Sequence, residues 1–160
     1  HTRFPNYAKD LRKKCDEENN IRWLGQIPEE EVKDLFQKTQ IVVLPYTAST
    51  GSSSVIYQAA TWGRAIVASN LNEHQHLADE NNLQVQFFEN GNIQSLKESL
   101  RILINSRDLR RQQIEHNLKS IQKLTPSEIC KHYIHAFNRA LEISSSHKRI
   151  HIPGKELELS

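Results

Sequence analysis

Two short, continuous runs of apolar residues mark the middle of the chain. Residues 41–44 are followed at once by Pro45, and residues 65–69 follow a glycine and an arginine. Uninterrupted apolar runs of this length are typical of strands that are buried on both faces of a parallel sheet. Residues 21–25 and 85–88 predict two further short strands. The pattern therefore predicts four strands.

Between these runs, apolar positions recur at the spacing of a helix that buries one face. Such stretches cover residues 6–18, residues 28–36, which open with a proline and three glutamates, and residues 55–62. Proline and acidic side chains are favoured at a helix N-terminus, which supports the second of these helices. Further helices are predicted to begin near Ile93, Arg107 and Thr125.

The alternation of helices with buried strands predicts a Rossmann-like, three-layer α/β/α fold with a parallel sheet. We expect residues 1–143 to form this domain and residues 144–160, which are polar and lack periodicity, to form a C-terminal tail. In such sheets, ligands bind at the carboxyl ends of the strands, beside the N-termini of the following helices. Functional residues are therefore expected between a strand and the next helix.

Composition excludes several classes of protein. The net charge of +2 gives no strong field to gather nucleic acid. Cys15 and Cys130 are far apart, which favours a reducing, cytoplasmic setting over a disulfide framework. No signal peptide and no transmembrane segment are recognised. The chain begins with His1 and contains no methionine, so we expect a fragment, a processed product or an incomplete gene model.

Two pairs of histidines were considered as metal ligands. His74 and His76 follow the 65–69 strand, where we expect the surface start of a helix, and His132 and His135 lie on a predicted helix. Neither pair has an evident third ligand, so both are interpreted as structural. No aspartate pair follows a strand, and we expect no metal site.

The loop between residues 45 and 55 carries the candidate chemistry. It contains Thr50, Gly51, Ser52, Ser53 and Ser54, and it delivers a helix N-terminus to the carboxyl edge of the sheet. Free backbone N–H groups and the helix dipole favour a phosphate or diphosphate there, and a glycine allows close approach. The alternative is that these serines and threonines only cap the helix. The loop has neither the GxGxxG nor the P-loop pattern, so both interpretations stay open.

The order of segments resembles the C-terminal domain of family 4 retaining glycosyltransferases of the GT-B type. In that family a strand ending in "LP" leads into a loop, a helix with "EA-x-A-x-G" and a "PVVAS"-like strand. The matching segments span about residues 10–140. They are residues 21–25, 29–36, 41–45, 58–63 and 66–69, and the 87–92 turn is similar to the family's "F-x-P-G-D".

The resemblance implies a function for a larger protein. It implies that residues 1–143 are the nucleotide-sugar-binding half of a GT-B fold, truncated at its N-terminus. The donor would be a UDP- or GDP-linked sugar, bound as substrate without a cofactor. The acceptor would be a glycan or a lipid-linked sugar, bound through an N-terminal domain, and transfer would retain the anomeric configuration. The full-length protein would be cytoplasmic, with peripheral attachment to a membrane as the alternative.

The resemblance also implies roles for single residues. The family's two glutamates fall on Thr50, near the donor sugar, and on Gln58, where the amide could hold the ribose hydroxyls. The nucleotide base would contact the backbone of Gly25, Gln26 and Ile27, although a plain turn explains that segment equally well. No catalytic residue is assigned.

The departures from the family pattern keep a second hypothesis open. Neither Thr50 nor Gln58 is acidic, and the family's diphosphate-binding arginine and lysine have no counterpart, so this fragment alone is expected to be inactive. The alternative is a non-catalytic, degenerate glycosyltransferase domain that acts in binding or scaffolding. A response-regulator-like domain would need acidic residues at its strand ends, and those ends are Gly25, Pro45 and Ser69.

Overall fold

The computed structural model describes residues 6–48, 53–124 and 126–147. The chain divides into two compact units, His1–Gln40 and Ile41–Ser160, which are treated separately. The first unit contains α1 and α2, and the second contains three strands and five helices among the described residues. In chain order the elements are α1 (Tyr7–Asp16), α2 (Glu29–Lys38), β1 (Ile41–Leu44), α3 (Ser54–Thr61), β2 (Ala65–Ser69), α4 (Asn72–Glu80), β3 (Gln86–Phe88), α5 (Ile93–Asn105), α6 (Arg107–Ile121) and α7 (Pro126–His147).

The first unit confirms both predicted helices. The helix α2 starts directly after Pro28, and its first turn carries three glutamates beside the positive end of the helix dipole. Its apolar positions include Phe36, which is buried, and Val32 and Leu35, which are partly buried. The amphipathic pattern therefore identified the buried side of this helix.

The strand predicted at residues 21–25 is not formed, and that prediction was wrong. The segment has no regular secondary structure, and Ile21, Trp23 and Leu24 are all exposed. Its apolar composition suits a strand, but a strand also needs a neighbour to pair its backbone groups. Among the described residues, no strand pairs with this segment.

The second unit is built on a parallel sheet with the strand order β1-β2-β3. The pairing places Ile41 beside Ala65 and Val67 beside Gln86. Every residue of the central strand β2 is buried. The three strands predicted in this unit are confirmed. Burial on both faces is confirmed for β2 alone, because β1 lies at an edge of the described sheet and its Val43 is 38% exposed.

Helices cover both faces of this sheet and complete the three-layer α/β/α arrangement that the alternation predicted. On one face, Ala65 and Val67 pack in a core with Phe88 and with Leu103 of α5. Ile66 and Ala68 project to the opposite face, since side chains alternate along a strand, and they are fully inaccessible. The helix α3 contacts β2 and ends at Gly63, which has a φ of 62° and so adopts the left-handed conformation that closes a helix.

Two buried amides of α6 complete the hydrogen bonding of the sheet at its amino end. The side chain of Gln113 accepts from the backbone N–H of Ile66 at 2.7 Å and donates to its carbonyl at 3.3 Å. One turn further, Asn117 makes the same pair of bonds with Gln84, at 2.7 and 2.9 Å. At these positions β2 and β3 are not yet paired, and the side-chain amides supply the hydrogen bonds that a neighbouring strand would otherwise make.

The C-terminal helices differ from the prediction at two places. The periodicity of Ile93, Leu96, Leu100 and Leu103 predicts that Ile93 lies on the buried face of α5, but it is 83% exposed at the first position of the helix. The helix α7 continues to His147, past residue 143, where the polar tail was expected to start. The assignment of residues 1–143 and 144–160 to a domain and a tail stays a prediction.

Candidate functional site

The carboxyl ends of the three strands are connected by hydrogen bonds of two asparagines. After β2, Asn70 donates its backbone N–H to the carbonyl of Phe88 at 2.9 Å. Its side-chain oxygen accepts from the backbone N–H of Asn90, which follows β3, at 2.8 Å. The side chain of Asn90 in turn donates to the carbonyl of Thr47, which follows β1, at 3.1 Å. The edge predicted to hold a ligand is therefore an organised surface.

The helix α3 begins at this edge, because it runs back from the end of β1 to the start of β2. Ser53 is its N-cap residue, with extended backbone angles, and its side chain makes no capping hydrogen bond. The carbonyl of Ser53 accepts from the N–H of Ile56 at 3.1 Å. The N–H groups of Ser54 and Val55 precede the first helical bonds and find no acceptor among the described residues. Ser53 therefore does not cap the helix through its side chain.

The predicted loop residues are only partly described. Ser53, Ser54 and Gln58 belong to the start of α3, where Ser53 is buried and the other two are exposed. Gln58 lies one turn after Ser54 in α3. Because this residue is exposed, its amide is accessible. Thr50, Gly51 and Ser52 lie outside the described residues. Their predicted role in ligand binding stays a prediction.

Gly25, Gln26 and Ile27 belong to the first unit. Gly25 has a φ of 70°, Gln26 is exposed and Ile27 is partly buried. The segment leads directly to Pro28 and the start of α2. Its predicted contact with the nucleotide base stays a prediction.

His74 occupies a position that the sequence analysis placed on the surface, and that expectation was wrong. His76 is exposed, whereas His74 is completely buried in the first turn of α4. Its Nδ1 lies 3.0 Å from the carbonyl oxygen of Ser69, the last residue of β2. The tilted ring of Tyr46, which follows β1, packs on the imidazole with a centroid distance of 5.7 Å. The side chain of His74 in the first turn of α4 is thus in contact with the carboxyl end of β2 and with the segment after β1.

Cationic side chains are missing from the described segments that follow the three strands. No lysine or arginine occurs in residues 45–48, 70–72 or 89–92, which follow the three strands. The described residues also contain no group of three histidines, cysteines or acids that could hold a metal ion. Hydrogen-bond donors at this edge are therefore backbone N–H groups, hydroxyls and side-chain amides.

None of the helices in the described ranges combines the length and the apolar character that a membrane span requires.

Comparisons with known proteins agree with this architecture. Residues 4–120 match the model of the family described as "Glycosyl transferases group 1". Among solved structures, the fold is similar to the C-terminal domain of a glycosyl transferase group 1 family protein (LpcC) from Francisella tularensis. The TM-score is 0.64 at 17% sequence identity, over 78% of this chain and 65% of the other. A search of curated proteins gave no significant match.

The two comparisons carry different weight. At 17% identity, the structural likeness shows the fold alone, and this chain spans about two thirds of that solved domain. The family match extends over most of the chain and includes all three strands, α3 and the carboxyl edge. The chain therefore belongs to the glycosyl transferases group 1 family.

Proposed function

We propose that this chain is the donor-binding domain of a glycosyltransferase of the retaining GT-B family 4. The domain binds a UDP- or GDP-linked sugar as substrate, without a cofactor or metal. The sugar passes with retention to a glycan or a lipid-linked acceptor that a separate N-terminal domain holds. The full-length enzyme works in the cytoplasm or at the face of a membrane.

The open N-terminus of α3 is the observation that carries this proposal. The N–H groups of Ser54 and Val55 lack acceptors among residues 6–48, 53–124 and 126–147, and the side chain of Ser53 does not cap them. Two N–H groups at the positive end of a helix dipole can donate hydrogen bonds to the oxygen atoms of a diphosphate. Because these donors are fixed before the ligand arrives, they stabilise the charge that grows on the departing nucleoside diphosphate during transfer.

Gln58 supports the nucleotide part of the proposal. Its exposed amide stands one turn into α3 from the proposed diphosphate site. An amide can donate to one ribose hydroxyl and accept from the other, whereas a glutamate would accept from both. The chain therefore keeps a group that can bind ribose where the related enzymes have an acid.

A second candidate function is a non-catalytic binding or scaffolding module. The specific observation in its favour is that residues 45–48, 70–72 and 89–92 contain no lysine or arginine. Amides alone can bind a diphosphate, but transfer also calls for cations that neutralise the leaving group. A chain that binds the nucleotide without transferring the sugar would fit this description.

Isothermal titration calorimetry with UDP, GDP, UDP-glucose and GDP-mannose tests the proposal. We expect binding by one nucleotide series and a weaker signal from the corresponding monophosphate, UMP or GMP, which has one phosphate fewer for the α3 amides. Absence of binding by all four ligands would refute donor binding. Transfer is tested in a protein that also contains the N-terminal domain, where binding without release of free sugar or transfer to any acceptor would leave the scaffolding function.

A further inference from the structure

We propose that His74 is a ligand-binding residue whose Nε2 accepts a hydrogen bond from a hydroxyl group of the nucleotide sugar. This inference rests on the proposed function, since the hydroxyl belongs to the donor. The sequence pattern gave His74 a purely structural role, and the diphosphate site described above does not use it. The proposal concerns the ring nitrogen that faces away from Ser69.

The geometry around Nδ1 fixes the tautomer of the neutral imidazole. A carbonyl oxygen can only accept, so the 3.0 Å contact to the carbonyl of Ser69 requires that Nδ1 carry the proton. The hydroxyl of Ser69 lies 3.5 Å from the same nitrogen. With the proton on Nδ1, the neutral ring presents a lone pair at Nε2. His74 is thus held as an acceptor in one orientation.

The described residues offer no partner to this acceptor. The Nε2 atom is buried and makes no hydrogen bond, and it is the one buried side-chain nitrogen or oxygen in the described part of the chain with this property. The described residues supply partners for the buried amides Gln113 and Asn117. Buried polar atoms in native proteins are nearly always paired, so an orphan next to a binding edge indicates a partner that arrives with the ligand.

The position of His74 indicates where that partner comes from. The ring is bonded to the last residue of β2 and packs on Tyr46, which follows β1, so it lies between the ends of two parallel strands. Ligands of this fold class bind at that place. Tyr46 is 41% exposed, so the ring that packs on the imidazole is itself accessible from the edge.

Because Nε2 is a hydrogen-bond acceptor, its partner on the ligand must be a donor. A diphosphate offers only acceptors, so it cannot satisfy a lone pair. The hydroxyls of the ribose and of the transferable sugar are donors and can do so. A site that pairs a buried acceptor with a ligand hydroxyl strongly discriminates against analogues without that hydroxyl, because the acceptor would then stay unpaired. His74 would therefore contribute to the choice of donor.

Two substitutions separate the two ring nitrogens. In His74→Asn, the side-chain amide can still donate to the carbonyl of Ser69, but the acceptor at the Nε2 position is lost. In His74→Gln, the longer side chain places an amide oxygen near the Nε2 position and gives up the bond to Ser69. His76→Asn is the matched control, because His76 is exposed on the same helix and pairs with Glu80 at 3.2 Å.

Calorimetry with UDP, GDP, UDP-glucose and GDP-mannose gives the first readout. We expect His74→Asn to bind the preferred nucleotide sugar about tenfold more weakly than the wild type, which corresponds to the loss of one hydrogen bond. We expect His74→Gln to recover most of this loss and His76→Asn to bind as the wild type does. Thermal unfolding of each variant checks that it is folded.

The ¹⁵N resonances of the His74 imidazole give a second readout that needs no substitution. Without ligand, we expect a protonated Nδ1 and an unprotonated Nε2. A shift of Nε2 on addition of UDP or GDP alone would assign the hydroxyl to the ribose. A shift only with UDP-glucose or GDP-mannose would assign it to the transferable sugar. Both results support the proposal.

Three results would overturn it, and they are distinguishable. If the wild type binds a nucleotide sugar, Nε2 does not shift and His74→Asn binds equally well, then the role of His74 is wrong and donor binding stands. If Nε2 becomes protonated on binding, the ring donates to phosphate and does not accept from a hydroxyl. If the wild type binds none of the four ligands, donor binding fails and this inference fails with it.

Discussion

The side chain of Asn90 donates to the carbonyl of Thr47 at 3.1 Å and thereby connects the segment after β3 to the segment after β1. The backbone N–H of Asn90 is held at the same time by the side chain of Asn70, at 2.8 Å. Thr47 stands where the chain leaves β1 for the loop that leads to α3. Asn90 therefore helps to position that loop from the far side of the sheet.

Replacing Asn90 with alanine tests this role. We expect Asn90→Ala to bind the nucleotide several-fold more weakly, because the loop before α3 loses its contact with the β3 end. The bonds are exposed, so the free energy of unfolding should fall by only about 1 kcal/mol. Calorimetry and denaturant unfolding measure the two effects.

Asn92→Ala is the matched control. The side chain of Asn92 caps α5 by accepting from the N–H of Ser95 at 3.0 Å, and its amide donates to Glu89 at 2.7 Å, so its hydrogen bonds lie within the segment after β3 and α5. Loss of this cap should lower the free energy of unfolding by about 1 kcal/mol and leave nucleotide binding unchanged. Equal binding by the two variants would show that Asn90 does not position the loop.

Gln113 is predicted to be a principal contributor to stability in the second unit. It is 6% exposed and satisfies both backbone groups of Ile66, so Gln113→Ala leaves a buried donor and a buried acceptor without partners. We expect a loss of about 3 kcal/mol in the free energy of unfolding. Gln112→Ala changes the same residue type at an exposed neighbouring position and should alter stability by less than about 0.5 kcal/mol. Similar losses in the two variants would contradict the role of Gln113.

The sequence predicted β1, β2 and the start of α3 because each depends on local pattern. A short apolar run bounded by turn residues favours a strand over a helix, because a helix needs more residues, and Gly63 marks the end of α3. The failed strand at residues 21–25 shows the limit of such patterns. Its residues suit a strand, but pairing depends on a neighbour that the local sequence does not specify.

The buried polar residues were the other part that the sequence could not reveal. Helical periodicity is counted from apolar positions, so Gln113 and Asn117 on the inner side of α6 gave no signal. For the same reason, His74 was assigned to the surface. The loop before α3 was recognised as a candidate anion site, but whether Ser53 caps the helix depends on its side-chain geometry, which only a structure shows.

Gln58 is predicted to bind the ribose. Gln58→Ala should weaken binding of UDP or GDP about fivefold, and Gln58→Glu should bind at least as well as the wild type, because a carboxylate accepts from both hydroxyls. Both substitutions are at an exposed position and should leave stability within about 0.5 kcal/mol. The comparison uses UDP and its 2′,3′-dideoxy analogue. If Gln58→Ala affects both ligands equally, Gln58 does not bind the ribose.

The pair Arg111–Glu115 on α6 gives a prediction for pH dependence. Arg111 donates to the Glu115 carboxylate at 2.6 Å, and this hydrogen bond, together with the positive charge, lowers the pKa of Glu115 from its usual value of 4.5 and raises that of Arg111. A carboxyl group whose pKa is lower in the folded than in the unfolded chain stabilises the fold at pH values above its unfolded pKa. That contribution disappears as the pH falls through the lower, folded value.

The measurement is an NMR titration of Glu115 in the wild type and in Arg111→Gln. We expect the pKa of Glu115 to rise towards its usual value in the variant and in high salt, because the pair is on the surface and is screened. Its effect on stability should be small at neutral pH and absent below the folded pKa. Identical titration of Glu115 in both proteins would contradict the assignment.

The N–H of Ser54 offers the most direct test of diphosphate binding by α3. Ser54 is the first residue of the helix, and Ser53 before it has φ and ψ of −78° and 108°, an extended conformation close to the one that a residue before proline prefers. Proline is well tolerated at this helical position, so Ser54→Pro removes one N–H and keeps the helix. Ser54→Ala removes the hydroxyl and keeps the N–H.

Calorimetric titration of the wild type, Ser54→Ala and Ser54→Pro with UDP and GDP therefore tests the central claim. The account predicts that Ser54→Ala binds within about twofold of the wild type and that Ser54→Pro binds about tenfold more weakly, as expected for the loss of one charge-assisted hydrogen bond. Binding of Ser54→Pro with the affinity of the wild type would show that the diphosphate is not held by the start of α3.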